Sequence, residues 1–152
     1  MADKRVIDLY PYKIVEEEPF FLLLKRSKGH IYYGQWRMIG GKVESGETYW
    51  QAAVRELFEE TELKPLKLWT IPSINSFYEH GTDQILHIPA FAADISVSEK
   101  VNLNSEHSGY DWFSLEDAIS RISWPEQKRL IQLTYSLITS NQILEDWYID
   151  IH

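Results

Sequence analysis

The stretch GGKVESGETYWQAAVRELFEETEL, Gly40–Leu63, restricts this chain more than any other part of it. Trp50, Val54, Leu57, Phe58 and Thr61 recur at helical spacing, and Thr48 followed three residues later by Gln51 matches a capping box, so a helix is expected over about Thr48–Thr61. Glu56, Glu59 and Glu60 stand at i, i+3 and i+4, which brings their carboxylates out on one face within reach of a common centre. Each like-charged pair costs roughly a few tenths of a kcal/mol on an exposed helix, and more as solvent is excluded. Two readings follow: a solvated acidic face, or a cation held among the glutamates. An all-oxygen, carboxylate-rich site suits Mg²⁺, with Mn²⁺ able to replace it, rather than zinc.

A length of 152 residues, 44% of them hydrophobic, suits one α/β domain spanning 1–152. Six tryptophans, nine tyrosines and six phenylalanines supply large core units and flat surfaces for a ring-shaped ligand. The formal charge of −8 repels nucleic-acid polymers and anionic membranes. The absence of cysteine excludes disulfides, thiolate catalysis and Cys-ligated zinc. The N-terminal MADKRVIDLY lacks an apolar signal core and no segment is apolar over a membrane-spanning length, so a cytoplasmic protein that enters no membrane is expected.

Val6–Val15 and Phe20–Lys25 read as strands joined by the charged turn EEEP, with Pro19 interrupting their pairing. Trp36–Ile39 is a short apolar run before the glycines. Leu66–Tyr78 and Gln84–Ile95 form an expected hairpin around EHGTD, with Gly81 at the tight connection. Gly109–Phe113 predicts a strand, Leu115–Ile122 a short helix, and Pro125–Thr139 a helix opened by proline; the tail from Asn141 fits no single element. A mixed sheet flanked by helices is the architecture these elements imply.

From Gly41, five residues lead to Glu47, seven more to Arg55-Glu56, and Leu57, Glu59 and Glu60 follow at fixed positions. This pattern closely resembles the Nudix box, residues 41–63, of the Nudix (MutT-like) hydrolases, and departs from it at Glu62, where the family has glycine. The resemblance implies a Nudix fold, a mixed β-sheet between α-helices. It also implies a divalent-cation site in which Glu59 and Glu60 are the principal side-chain ligands, Glu56 a ligand or proton acceptor, and the Gly40 carbonyl a further ligand. Gly41 lets the backbone approach closely, and Arg55 holds Glu47 in a charge-assisted pair, which makes Glu47 structural.

Ser105–Ala118, SEHSGYDWFSLEDA, resembles a Glu-His-x-x-Tyr-x-Trp segment of dihydroneopterin triphosphate pyrophosphohydrolases and dinucleoside tetraphosphate hydrolases, which makes Glu106 a further metal ligand or base. His107 is expected to orient the loop, with Tyr110 and Trp112 packed in the strand. Arg26, at a strand end, is a phosphate contact, with an ordinary solvated end the other reading. Trp36 and Arg37 line the base or phosphate pocket or, for Trp36, pack in the core. Phe77 or Tyr78 stacks on a purine or pteridine ring.

These likenesses imply a Mg²⁺-dependent pyrophosphohydrolase that cleaves a nucleoside or pterin triphosphate to monophosphate and pyrophosphate. The alternative is hydrolysis of a dinucleoside polyphosphate. A non-catalytic nucleotide sensor on the same fold is a third class, which the intact glutamates disfavour. The oligomeric state is open, a homodimer included.

Overall fold

The computed structural model describes residues 4–152; Met1–Asp3, the start of the N-terminal segment read above, lie outside the described residues. Its strands and helices run in the order β1 (Val6–Val15), β2 (Glu18–Arg26), β3 (Trp36–Arg37), β4 (Ile39–Lys42), α1 (Tyr49–Thr61), β5 (Lys67–Glu79), β6 (Gln84–Asp94), β7 (His107–Phe113), α2 (Leu115–Arg121), α3 (Pro125–Thr139) and β8 (Tyr148–Ile149). Among the described residues, no helix is long and apolar enough to cross a membrane.

The sheet runs β3-β2-β1-β6-β5-β8, with β4 on β1 and β7 on β2. β1 lies parallel to β6 and antiparallel to β2 and β4. Alternation along the strands sorts the core into two layers. Ile7, Leu9, Leu22, Leu24, Leu68 and Phe91 pack with Ala52, Ala53 and Leu57 of α1. Tyr10, Tyr12, Phe21, Leu23, Trp69 and Ile71 face the opposite way, onto α2 and α3 through Ala118, Leu130 and Ile131.

Several local expectations are revised. Pro19 does not interrupt the first hairpin but pairs with Ile14, and the strand begins at Glu18. The turn is made by Glu16 and Glu17, both at positive φ (51° and 69°), a geometry usually given to glycine or asparagine. In the second hairpin Gly81 does lie in the tight turn, between Glu79 and Gln84, with Asp83 at positive φ. Phe58 stands 47% exposed on the outer side of α1, whose buried stripe is instead Ala52, Ala53, Leu57, Glu60 and Thr61. Tyr110 is also exposed rather than packed. The tail forms a 3₁₀ turn over Glu145–Trp147 and then β8, which pairs with β5.

Two features of the sheet open the site. β3 and β4 belong to one extended segment that changes partner at Met38, from β2 to the first half of β1, so the edge of the sheet splits there. The register of β5 on β6 also shifts between Thr70 and Ile74, and the hairpin then runs on past the core with Asn75 paired to Ile88 and Phe77 to Leu86. These residues continue the α3-facing row beyond the packed core and become one wall of a cavity.

Candidate functional site

Helix α1 is fixed at both ends. Thr48 accepts from the Gln51 backbone at 3.2 Å while Gln51 accepts from the Thr48 backbone at 2.9 Å, completing the capping box. At the other end Glu62 adopts the left-handed conformation (φ 61°), its N–H bonds the Phe58 carbonyl at 2.8 Å, and its carboxylate accepts from Asn102 at 2.9 Å. The chain therefore makes a glycine-type helix end with a glutamate, partly compensated by that side-chain bond.

Arg55 organises the acidic face. Its Nε and Nη2 donate to the Glu47 carboxylate at 2.7 and 3.0 Å, and Nη2 also donates to the Lys42 carbonyl at 2.8 Å. Nη1 reaches Glu56 at 2.9 Å and Glu59 at 3.1 Å. The guanidinium holds the Glu47 carboxyl below the usual carboxylate range. Glu47 in turn accepts from the Glu44 backbone at 2.9 Å, so the loop before α1 is tied to its middle.

The carboxylates are not equivalent. Glu60 sits on the buried stripe, 3% exposed, and its Oε2 has no hydrogen-bond partner. Burial, with the charges of Glu56 and Glu106 adding to it, pushes its carboxyl up to about 9. Burial also raises the Glu56 carboxyl. Glu59 projects outside the cavity, half exposed, with Arg55 as its partner. Gly40 and Gly41 run past these groups in β4, and a Cβ at Gly41 would collide with the Glu56 carboxyl. Glycine is required there by close approach.

Glu106 comes from the loop immediately before β7. Its carbonyl accepts from the Ser27 backbone at 2.8 Å, its N–H donates to Asn104 at 3.1 Å, and Asn102 N–H reaches the last carbonyl of α1, that of Thr61, at 2.9 Å. The loop is thereby tied to both β2 and α1. Arg26 donates to Glu106 at 3.2 Å and to the Ile31 carbonyl at 3.1 Å. Ligand atoms of Glu60, Glu106 and His107 lie within 4.8 Å of one another.

His107 Nε2 lies 3.5 Å from Glu60 and 3.4 Å from Arg26 Nη1, while Nδ1 faces Asn104 at 3.4 Å. Burial and the Arg26 charge press the imidazole down to about 4. With Glu60 raised and His107 lowered, their contact at neutral pH is between two neutral groups and not an ion pair. A neutral His107 accepting at Nε2 and donating from Nδ1 suits all three neighbours.

These groups line a cavity of about 470 Å³: Glu56, Glu60, Glu106, Arg26, Gly40 and Gly41. Arg37, Phe77, Trp124, Asp8, Asn75 and Gln127 line it as well, Asp8 being paired across the strands with Gly40. Of the residues expected at the substrate, Arg26, Arg37 and Phe77 line the cavity. Trp36 packs edge-on against Phe113, 5.3 Å between centroids, and Tyr78 points away, bonding Asp83 through its hydroxyl at 2.8 Å. Asp8 and Asn75 went unrecognised in the sequence. The available signal was a single acid at an inward position of an apolar strand, VIDLY.

The NUDIX domain family profile matches residues 12–134. The chain belongs to the Nudix hydrolase family. It is 28% identical over 117 residues to the nucleoside triphosphatase NudI of Escherichia coli, covering 70% of this chain and 81% of NudI. A solved Ap4A hydrolase from C. elegans, in a binary complex, superposes with a TM-score of 0.77 at 25% identity, over 91% of this chain and 99% of the hydrolase. An octanoyltransferase of Myxococcus xanthus shares 30% identity over 96 residues, 59% of this chain, and the match spans 25% of that longer protein. Within the Nudix frame, two carboxylates and an imidazole within 4.8 Å of one another, with an unpartnered buried oxygen on Glu60, fit a divalent cation.

Proposed function

We propose that the protein hydrolyses a phosphoanhydride bond of a nucleoside or pterin triphosphate, giving the monophosphate and pyrophosphate, with Mg²⁺ as cofactor and Mn²⁺ able to replace it. The convergence of Glu56, Glu60 and Glu106 in a cavity that Phe77 and Trp124 also line carries this reading. We assign the cation to Glu56, Glu60 and Glu106 with the Gly40 carbonyl, and Glu59 as a further ligand that must turn from Arg55 toward the cavity. A divalent cation bound there supplies neutralisation of phosphate charge and a more acidic water.

The chain's own groups do the rest. Water adds across the P–O–P bridge: its oxygen bonds to one phosphorus, the bond from that phosphorus to the bridging oxygen breaks, the bridging oxygen stays on the other product, and a carboxylate takes the proton. Glu56 and Glu106 are the proton acceptors, and Arg26, beside Glu106, is the cation that meets the phosphates. Arg55 acts through others, holding Glu47 and Glu56 in place. The cysteine-free composition suits a reducing cytoplasm.

The Ap4A hydrolase likeness supports a second reading, cleavage of a dinucleoside polyphosphate. Products separate the two. Incubation with a panel of nucleoside triphosphates, dihydroneopterin triphosphate and diadenosine tetraphosphate in Mg²⁺, followed by phosphorus NMR, should give pyrophosphate from a triphosphate. ATP plus AMP from the dinucleotide alone would favour the second reading, and no phosphorus-containing product from any of them would sink both.

A further inference from the structure

The cavity also carries polar groups that the hydrolytic chemistry does not use. Asp8 of β1 is 6% exposed, Asn75 of β5 is 5% exposed and Gln127 of α3 is 4% exposed, and all three line the cavity. Gln127 Nε2 donates to Asp8 Oδ2 at a long 3.3 Å, and Gln127 Oε1 is buried without a partner. Phe77 and Trp124 stand 6.4 Å apart by centroids beside them, and the Arg37 guanidinium lies 5.9 Å from the Trp124 ring.

Buried polar groups are normally satisfied, and a carboxylate at the floor of a cavity with one weak donor is costly unless a ligand completes it. The floor is rich in acceptors, since an ionised Asp8 carboxylate only accepts and the free atom of Gln127 is an oxygen. Donors come from the Asn75 amide and Arg37. The complementary ring edge presents two adjacent N–H donors followed by a carbonyl. Adenine sets the lone pair of N1 against such a floor, and cytosine sets two acceptors against it.

We propose, resting on the triphosphate reading above, that Asp8, Gln127 and Asn75 beside Trp124 and Phe77 bind the 2-amino-4-oxopyrimidine edge shared by guanine and pterins. These residues then select a triphosphate carrying that edge. The aromatic rings supply stacking that is indifferent to the edge, and the polar floor supplies the choice.

The test separates ring recognition from hydrolysis. NMR titration in EDTA with GMP, IMP, AMP and neopterin monophosphate reads ring affinity with no cation and no turnover. GMP, neopterin monophosphate or both should bind at least about tenfold tighter than AMP, with IMP, which lacks the 2-amino group, in between; the two former arms distinguish a guanine from a pterin source. Asp8→Asn should bring the preference over AMP close to one. Gln127→Leu, which introduces no charge and leaves β1 unaltered, should weaken the favoured ligand and provides the test if Asp8→Asn does not fold. Equal or tighter binding of AMP, no binding of any of the four, or full preference in either folded variant would overturn the proposal. Triphosphate hydrolysis without ring preference leaves the phosphoanhydride reading standing, and ring preference without hydrolysis does the reverse.

Discussion

The two sets of residues lining the cavity differ in how they are assembled. The acidic set is mostly local: Gly40, Gly41, Glu56 and Glu60 come from one strand, loop and helix, cross-braced by Arg55. The ring-binding set is drawn from β1, β5 and α3, and its members are separated by as many as 119 positions. A local site survives small shifts of the sheet, because the same helix carries most of its groups. A dispersed site depends on the register of β5 on β6 and on where α3 begins. Substitutions in the acidic set should therefore abolish turnover, and those in the ring-binding set should change which substrate is turned over.

The largest effect expected is from Glu60→Gln, which removes the buried carboxylate and should lower the rate at least ~10²-fold. Glu59→Gln should cost less, since Glu59 lies outside the cavity against Arg55. Steady-state rates in saturating Mg²⁺ rank the two, and a reversed order would relocate the cation toward the outer face. Gly41→Ala follows. The new Cβ must displace the Glu56 carboxyl, so activity should fall at least about tenfold while the melting temperature changes little; unchanged activity would show that Glu56 has no fixed place.

The acidic set also gives a pH dependence. In the metal-free protein the Glu60 carboxyl is raised to about 9, so the folded state keeps a proton that the unfolded chain releases. That contribution is complete below the ordinary carboxylate range and is lost as pH rises toward about 9. His107 runs the other way: lowered to about 4, it contributes above its ordinary value and is lost as pH falls through about 4. The metal-free protein in EDTA should thus resist thermal unfolding best near mildly acidic pH. Glu60→Gln should raise the metal-free melting temperature at pH 8 and hardly alter it at pH 5. The variant that loses the most activity is expected to be the more stable apoprotein, and a Glu60→Gln protein less stable at pH 8 would contradict the burial argument.

The smallest effect belongs to the end of α1. Glu62→Gly relieves a left-handed conformation worth roughly 1 kcal/mol but gives up the bond from Asn102, so a net gain below about 1 kcal/mol is expected from denaturant unfolding. Metal affinity should not change. A clear loss of it would make Glu62 a ligand.

The same contrast explains what could be read in advance. Helix α1, its capping box and the Glu47–Arg55 pair were legible because each depends on residues within a dozen positions of one another. The boundaries of α3 were legible because Pro125 fixes its first turn. Phe58 was misjudged because its spacing also fits the apolar stripe, while the sheet selects the neighbouring row through Ala52 and Ala53 and so buries Glu60. That selection depends on packing and not on periodicity. Asp8, Asn75 and Gln127 are each unexceptional in their own segment and meet only after β1, β5 and α3 are in place.

If buried Glu60, its carboxyl raised to about 9, belongs to a cation site, binding the cation must displace its proton. Calorimetric titration of Mg²⁺ into the apoprotein at pH 7.5, repeated in buffers of differing ionisation enthalpy, reads cation binding and proton release together. The raised carboxyl predicts saturable binding with about one proton released per bound cation, reduced in Glu60→Gln. Saturable binding with no proton release, or release that persists in full in Glu60→Gln, would contradict it.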